Sequence, residues 1–278
     1  MTSFRALEAA DLRYISLGAG VQSSVMALMA ARGEIGPMPD CAVFADTQWE
    51  PKSVYDHLGW LETQLPFPVY RVTSGDIRAV AIGSADGDFS PGLPVFISTD
   101  PRGMVGRHCT NAYKIQPIQR KVREILGYAK GQRLPKAIQV EQWMGISRDE
   151  IQRVKDNRDW WITNRWPLIE QMMSRHDCQV WFEKNYPGRV LGRSACIGCP
   201  YHNDSEWRRM RDNDPVSWAD AVEFDHALRS GERSAFGAEK PVYIHASMRP
   251  LDEVDLSTEQ DRGQLDMFGN ECEGMCGV

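Results

Sequence analysis

Apolar positions along this chain fall into two rhythms that alternate from the N-terminus onward. The stretch "LRYISLGAG" (12–20) is a short apolar run ending in glycines, and "VQSSVMALMAARGE" (21–34) carries apolar residues at helical spacing. Strand, glycine turn and helix are expected there in that order. A second buried strand is read in "DCAVFADT" (40–47), then a helix in "EPKSVYDHLGWLETQL" (50–65), whose first turn suits Pro51. "FPVYRVTSG" (67–75) supplies a third strand. Further on, "NAYKIQPIQRKVREILG" (111–127) predicts a helix and "KAIQVEQWMGIS" (136–147) another strand. "DPVSWADAVEFDHALRSG" (214–231) predicts a helix capped by Asp214 ahead of Pro215. Strands alternating with helices predict an α/β, Rossmann-like parallel sheet with helices on both faces.

Between Asp76 and Arg107 the pattern dissolves into Gly, Pro and Ser, with "GSADGDFSPGLP" (83–94) at its centre. A connection that long inside a compact domain is expected to be a functional lid or a mobile segment. From about Leu251 the tail is polar and carries two cysteines near its end. No internal repeat and no low-complexity tract interrupts the chain. The expected organisation is an α/β domain over residues 1–205, including the paired cysteines, and a C-terminal helical extension with a tail over 206–278.

Composition narrows the function classes. With 278 residues, 42% of them hydrophobic, the chain can bury a sizeable core. A net charge of −6 argues against a free-standing nucleic-acid binder, which usually carries a basic surplus. No basic stretch followed by an apolar run opens the sequence, and no run is long and apolar enough to span a bilayer, so a cytoplasmic location without membrane contact is expected. Seven cysteines is an odd number, and without an export signal metal binding or thiol chemistry is favoured over a disulfide framework.

The turn "GAGVQSS" (18–24) stands between the first strand and the first helix. Backbone N–H groups and the helix dipole both point to such a place, which suits an anion. No Gly-Lys-Ser/Thr follows, so it is not a Walker A loop, and Ser23 stands where a dinucleotide fingerprint needs its third glycine. A tight strand–helix turn with no ligand is the plain alternative.

This turn resembles the pyrophosphate loop, Ser-Gly-Gly-x-Asp-Ser, of adenine nucleotide alpha hydrolases and PAPS reductases. Gly18, Ala19, Gly20, Val21, Gln22 and Ser23 occupy its six places, with glycine for the leading serine and glutamine for the aspartate. "ADTQWEP" (45–51) is similar to the family's Asp-Thr-Gly segment through Asp46 and Thr47. "MGISRDE" (144–150) resembles its Gly-x-Arg-x-x-Glu-Ser segment through Gly145 and Glu150, with Arg148 or Arg153 as the candidate cation. Pro167, Leu168, Asp177 and Trp181 fit a further segment of architectural character. The resemblance implies that ATP, with Mg²⁺, or another adenylyl nucleotide binds at Ser16, Gly18, Ala19, Gly20, Gln22, Ser23, Ser24, Asp46, Thr47, Gly145 and Arg148.

The cysteines follow the iron–sulfur branch of that family. "CTNAYKIQPI" (109–118) is similar to the Cys-Cys-x-x-Arg-Lys-Val-x-Pro-Leu segment of assimilatory APS reductases. Cys109 falls on its first cysteine, Thr110 replaces the second, and Lys114, Pro117 and Ile118 fit the frame. Cys196 and Cys199, within "CIGCP", match the later Cys-x-x-Cys pair. The resemblance implies a [4Fe–4S] cluster on Cys109, Cys196 and Cys199, with Cys272 as the candidate fourth ligand. Zinc is the rival, since Cys-x-x-Cys also suits a tetrahedral site that His108 or His202 would complete. Cys41 and Cys178 read as small buried hydrophobes. Cys276, near the chain end, is the candidate catalytic thiol.

Three functions are consistent with these signals. The first is ATP-dependent sulfur insertion, as in the DNA phosphorothioation and nucleic-acid thiolation relatives, with a cysteine desulfurase or other sulfur donor as partner. "WWITNRW" (160–166) and "EWRRMR" (206–211) interleave aromatics with arginines, a composition that stacks bases and meets phosphates, although a core helix with exposed arginines is the plainer reading. Given the acidic chain, nucleic acid would be reached through a partner protein. The second is thioredoxin-linked reduction of PAPS or APS to sulfite. The third is a nucleotide-sensing iron–sulfur protein without turnover.

Overall fold

The computed structural model describes residues 5–83, 92–98, 103–105, 108–229, 241–257 and 261. In chain order its strands are β1 (Leu12–Leu17), β2 (Cys41–Asp46), β3 (Val69–Thr73), β4 (Val95–Ile97), β5 (Gly103–Val105), β6 (Val140–Met144), β7 (Ile162–Arg165) and β8 (Val242–Tyr243). The α-helices are α1 (Val21–Ala31), α2 (Lys52–Gln64), α3 (Ile77–Gly83), α4 (Gln116–Ile125), α5 (Pro167–Glu170), α6 (Arg175–Asn185), α7 (Asp204–Asn213) and α8 (Pro215–Ala227). Each strand and helix named from the apolar rhythm is present within a few residues of its expected place. Asp214 caps α8, its carboxylate accepting the Ser217 N–H at 3.1 Å.

Two compact units share the chain. The first comprises Met1–Asp46, Lys52–Thr73 and Ile115–Ser194; the second comprises Thr47–Pro51, Ser74–Lys114 and Ala195–Val278. The division differs from a boundary at residue 205: Cys109, Cys196 and Cys199 belong with the C-terminal helices. Hydrophobic packing explains the split, because Trp49, Ile77, Leu93, Cys196, Trp207 and Phe224 share one core that is separate from the cores around the large sheet.

In the first unit five parallel strands run in the order β3-β2-β1-β6-β7. This is the α/β Rossmann-like fold expected from the alternation. Strand residues point alternately to opposite faces, and both faces are covered. Ile15, Leu17, Ala42, Phe44 and Trp143 meet α1, α2 and α6 through Val25, Leu58 and Phe182. Tyr14, Cys41, Val43 and Val140 face the other way, onto Ile118 and Val122 of α4. Helix α1 is buried on every side from Val21 to Ala30. Each of its larger apolar side chains contributes on the order of 1.5–3 kcal/mol by leaving water.

Strand β7 is only four residues long and too mixed in polarity for its period to stand out along the sequence. With it the order reverses between β1 and β6, and the carboxyl ends of those two strands flank the place where open α/β sheets bind ligands. The second unit carries a small antiparallel sheet, β5-β4-β8, beside α3, α7 and α8. Much of the Gly- and Pro-rich stretch centred on 83–94 lies outside the described residues, and the lid reading falls there. Among the described residues no helix is long and apolar enough to cross a membrane.

Candidate functional site

The glycine turn joins β1 to α1 at the strand-order reversal. Ala19 makes the bend in the left-handed region, at φ +55, a conformation uncommon for a residue with a Cβ. Gly20 is the N-cap of α1 and has no side chain to cap the first-turn N–H groups, and no acidic residue occupies the helix's first turn. The Ser23 hydroxyl accepts the Gly18 N–H at 3.2 Å and donates to the Gly20 carbonyl at 3.4 Å, bracing the turn from within. Neither Gly18 nor Gly20 is demanded by packing: a Cβ on either would meet nothing closer than 3.6 Å. The bare backbone of the turn is therefore not needed to fit the turn against its own protein.

Gly145, at the exit of β6, is different. A Cβ there would lie 2.8 Å from both the Cα and the N of Ser23, so only glycine allows this close approach. Gln22 turns into the protein. Its amide donates to Glu150 at 3.0 Å and to Ser147 at 3.4 Å, and its carbonyl accepts from Arg175 at 2.8 Å. Gln22 thus ties the turn to the segment after β6. Ser24 is fully buried, its hydroxyl 2.9 Å from Nε2 of His57. Burial, then the nearby Arg189 charge, hold the His57 pKa down at about 4. Ser16 is half-buried on β1 opposite Met144, Asp46 accepts the Tyr55 hydroxyl at 2.8 Å, and Arg148 is exposed. Arg175, which the sequence reading passed over, enters the turn only through its reach to Gln22.

The second unit brings three of the singled-out cysteines to one small pocket, lined by Cys109, Cys196 and Cys199 with Thr47, Thr110 and Lys114. Cys196 and Cys199 close a tight turn, the Cys199 N–H donating to the Cys196 carbonyl at 3.0 Å. Thr47 Oγ1 lies 3.2 Å from the Cys196 sulfur, so Thr47 stands in the wall of the cysteine pocket. Cys109 opens a π-helical turn, Thr110–Ile115, a form frequent at functional sites. His108 and Cys109 both donate their N–H groups to the Gly92 carbonyl, at 2.9 and 3.2 Å. Gly92 has φ +62, and a Cβ on it would come within 2.5 Å of His108, so that bend also requires glycine.

None of the five described cysteines is in a disulfide. Burial pushes the thiols of Cys41 and Cys178 up to about 12, the inert state expected of them. His202 points its Nε2 at the Cys196 carbonyl, 3.0 Å away, so that nitrogen is engaged as a donor. Among the described residues no three His, Cys, Asp or Glu side chains converge as a single ion requires. Cys272 and Cys276 lie outside the described residues.

Aromatic residues from the two mixed stretches are mostly core. Trp161, Trp166 and Trp207 are buried and Trp160 is exposed. Arg165 is buried, paired with Glu170 at 2.8 Å and stacked over Trp143. Residues 206–211 match the plainer reading, a helix with Trp207 and Met210 in the core and Arg209 and Arg211 exposed, whereas residues 160–166 contain strand β7 with Arg165 buried. Asp177 likewise serves architecture, forming a capping box with Ser174 at the start of α6.

No protein-family model matches the chain, and no curated protein matches it. Among solved structures, the chain is similar to the phosphoadenylyl-sulfate (PAPS) reductase from Candida auris, determined as a phosphate complex. The two share 13% identity with a TM-score of 0.39, over 65% of this chain and 80% of that one.

Proposed function

We propose that this chain is an ATP-using sulfur-transfer enzyme of the PAPS-reductase-like superfamily, acting in nucleic-acid thiolation or phosphorothioation. The observation that carries this reading is the gathering of Cys109, Cys196 and Cys199 around one pocket, although Cys109 is far from the other two in sequence. Three thiols around a cavity, rather than at a point, suit a polynuclear cluster better than zinc, whose bonds to sulfur are about 2.3 Å. Thr110, in the wall of the same pocket, stands where APS reductases carry a cysteine, and this hydroxyl counts against the reductase alternative.

Cys109, Cys196, Cys199 and Cys272 would hold a [4Fe–4S] cluster, which when bound supplies a site for sulfide-level sulfur and electrons. Ala19 and Gly20 leave backbone N–H groups ahead of α1 for the phosphates of ATP, with Mg²⁺ balancing their charge, while Gly18 shapes the turn by donating its N–H to Ser23. Ser16, Ser23, Asp46, Gly145 and Arg148 complete that site, and Ser24 braces α1 from the core through His57. An acceptor oxygen attacks the α-phosphorus and pyrophosphate departs; the outer sulfur of a Cys276 persulfide then displaces AMP. An external dithiol reduces the acceptor–Cys276 disulfide so formed, releasing the thiolated acceptor and the free Cys276 thiol while the dithiol is oxidised to its disulfide. A cysteine desulfurase is the fitting sulfur source. The net charge of −6 favours delivery of nucleic acid through a partner protein.

Iron, sulfide and zinc are measured on protein purified without oxygen, and pyrophosphate release from ATP is followed with and without nucleic acid. About four irons and four sulfides per chain, lost in Cys196→Ala, with pyrophosphate release weakened in Ser23→Ala, are the expected results. Stoichiometric zinc without sulfide would refute the cluster. Sulfite release from adenylyl sulfate would replace sulfur transfer with reduction.

A further inference from the structure

Four contacts converge on the Cys196–Cys199 turn from one short segment after β2. The Ile197 N–H donates to the Trp49 carbonyl at 2.9 Å. Thr47 Oγ1 meets the Cys196 sulfur at 3.2 Å, and Glu50 Oε1 lies 4.0 Å from it. The Trp49 ring lies over Gly198: a Cβ at residue 198 would fall 2.2 Å from Cη2 and 3.0 Å from Cζ2 and Cζ3. That ring is itself pinned. Its indole N–H donates to Asp220 of α8 at 2.6 Å, and Phe224 meets it edge-on with centroids 4.5 Å apart. Trp49 is only 4% exposed, so the ring has nowhere to retreat.

We infer that Trp49 is the positioning residue of the Cys196–Cys199 turn, and that residue 198 must be glycine because the Trp49 ring takes the space of its side chain. This assignment rests on the reading of the two thiols as ligands in the proposed function. A ligand pair is useful only if its sulfurs are held at a fixed separation before the inorganic group arrives. The turn is closed by its own Cys199 N–H to Cys196 carbonyl hydrogen bond at 3.0 Å, and Trp49 adds the outside surface that packs against Gly198. The inner glycine of "CIGC" is thus set by a residue remote in sequence.

The test uses the full chain stripped of metal and kept reduced, with iodoacetamide alkylation followed at each cysteine by mass spectrometry. Gly198→Ala is expected to raise the rates at Cys196 and Cys199 at least tenfold, with Cys41 and Cys178 unchanged. Trp49→Ala is expected to do the same. The double variant is expected to react no faster than Trp49→Ala alone, because removing the ring frees the space that the added methyl needs. Multiplying effects, or unchanged rates in the single variants, would overturn the assignment. Should Gly198→Ala unfold the chain and expose Cys41 and Cys178 too, Asp220→Asn set against Arg78→Gln decides, since Asp220 accepts from the indole and also pairs with Arg78 at 2.6 Å. About a threefold rise confined to Cys196 and Cys199 in Asp220→Asn but not in Arg78→Gln supports the assignment, and no rise, or an equal rise in both, defeats it. Cadmium titration of the stripped wild-type chain separates the two claims. Absent cadmium–thiolate absorption would sink the ligand reading and leave the Trp49–Gly198 coupling to stand or fall on the alkylation rates.

Discussion

Replacing Gly145 with alanine isolates the contact that links β6 to the glycine turn. The new methyl would stand 2.8 Å from the Cα and N of Ser23. Carbon atoms rest at about 3.5 Å, so the strand exit and the turn must separate by roughly 0.7 Å. Backbone atoms cannot swing aside as a side-chain tip would. Helix α1 cannot recede either, because Val25, Met26, Ala27 and Leu28 behind Ser23 are fully buried. Overpacking of this kind costs about 1–3 kcal/mol. The same displacement exceeds the ~0.5 Å tolerance within which a binding constellation works. Urea unfolding followed by far-ultraviolet dichroism is therefore expected to show a loss of about 1–3 kcal/mol at unchanged m-value. Calorimetric titration with a non-hydrolysable ATP analogue is expected to show at least a tenfold loss of affinity. A variant as stable as wild type would refute the packing argument. A destabilised variant with full affinity would show that the exit of β6 takes no part in the nucleotide site.

Gly59 provides the opposite sign: it lies within α2 with nothing within 4 Å of its would-be Cβ, so Gly59→Ala is expected to raise stability by about 0.5–1 kcal/mol in the same urea assay. His57 should introduce a pH dependence. Its folded pKa of about 4 lies below the ordinary 6.5, so the unfolded chain binds the extra proton between those values and stability falls as pH drops through that window. The loss is about 2 kcal/mol once partial solvation is allowed for, and His57→Gln should flatten that limb of the stability–pH profile. Asp225 is fully buried and accepts from the N–H groups of Ile244 and Leu251 and from Arg229. Asp225→Ala strands all three and is expected to cost about 3–5 kcal/mol by denaturant titration.

Much of the fold was legible because strands and helices write their periods into neighbouring residues. Apolar runs ending at Gly18 and Asp46, the helical spacing after Gly20 and the cap at Asp214 are local facts, decided by steric and hydrogen-bonding preferences over a few positions. The inertness of Cys41, set inside a buried strand, was readable for the same reason. The fate of Gln22 was not: glutamine in a glycine turn reads as a ligand contact, yet its amide meets Ser147 and Glu150, more than a hundred residues away. Thr47 beside an aspartate likewise reads as part of a nucleotide segment, and only closure of the chain brings it to Cys196.

By itself the sequence determined the alternation of elements, the glycine turn ahead of α1 and the three thiols worth following. Each depends on spacing along the chain or on the chemistry of a single side chain. Tertiary structure alone decided that the sheet reverses between β1 and β6, that Cys109 joins Cys196 and Cys199 in one pocket, and that Gly198 makes room for Trp49. Those outcomes depend on which distant surfaces exclude water together, and apolar burial acts through space without regard to sequence separation.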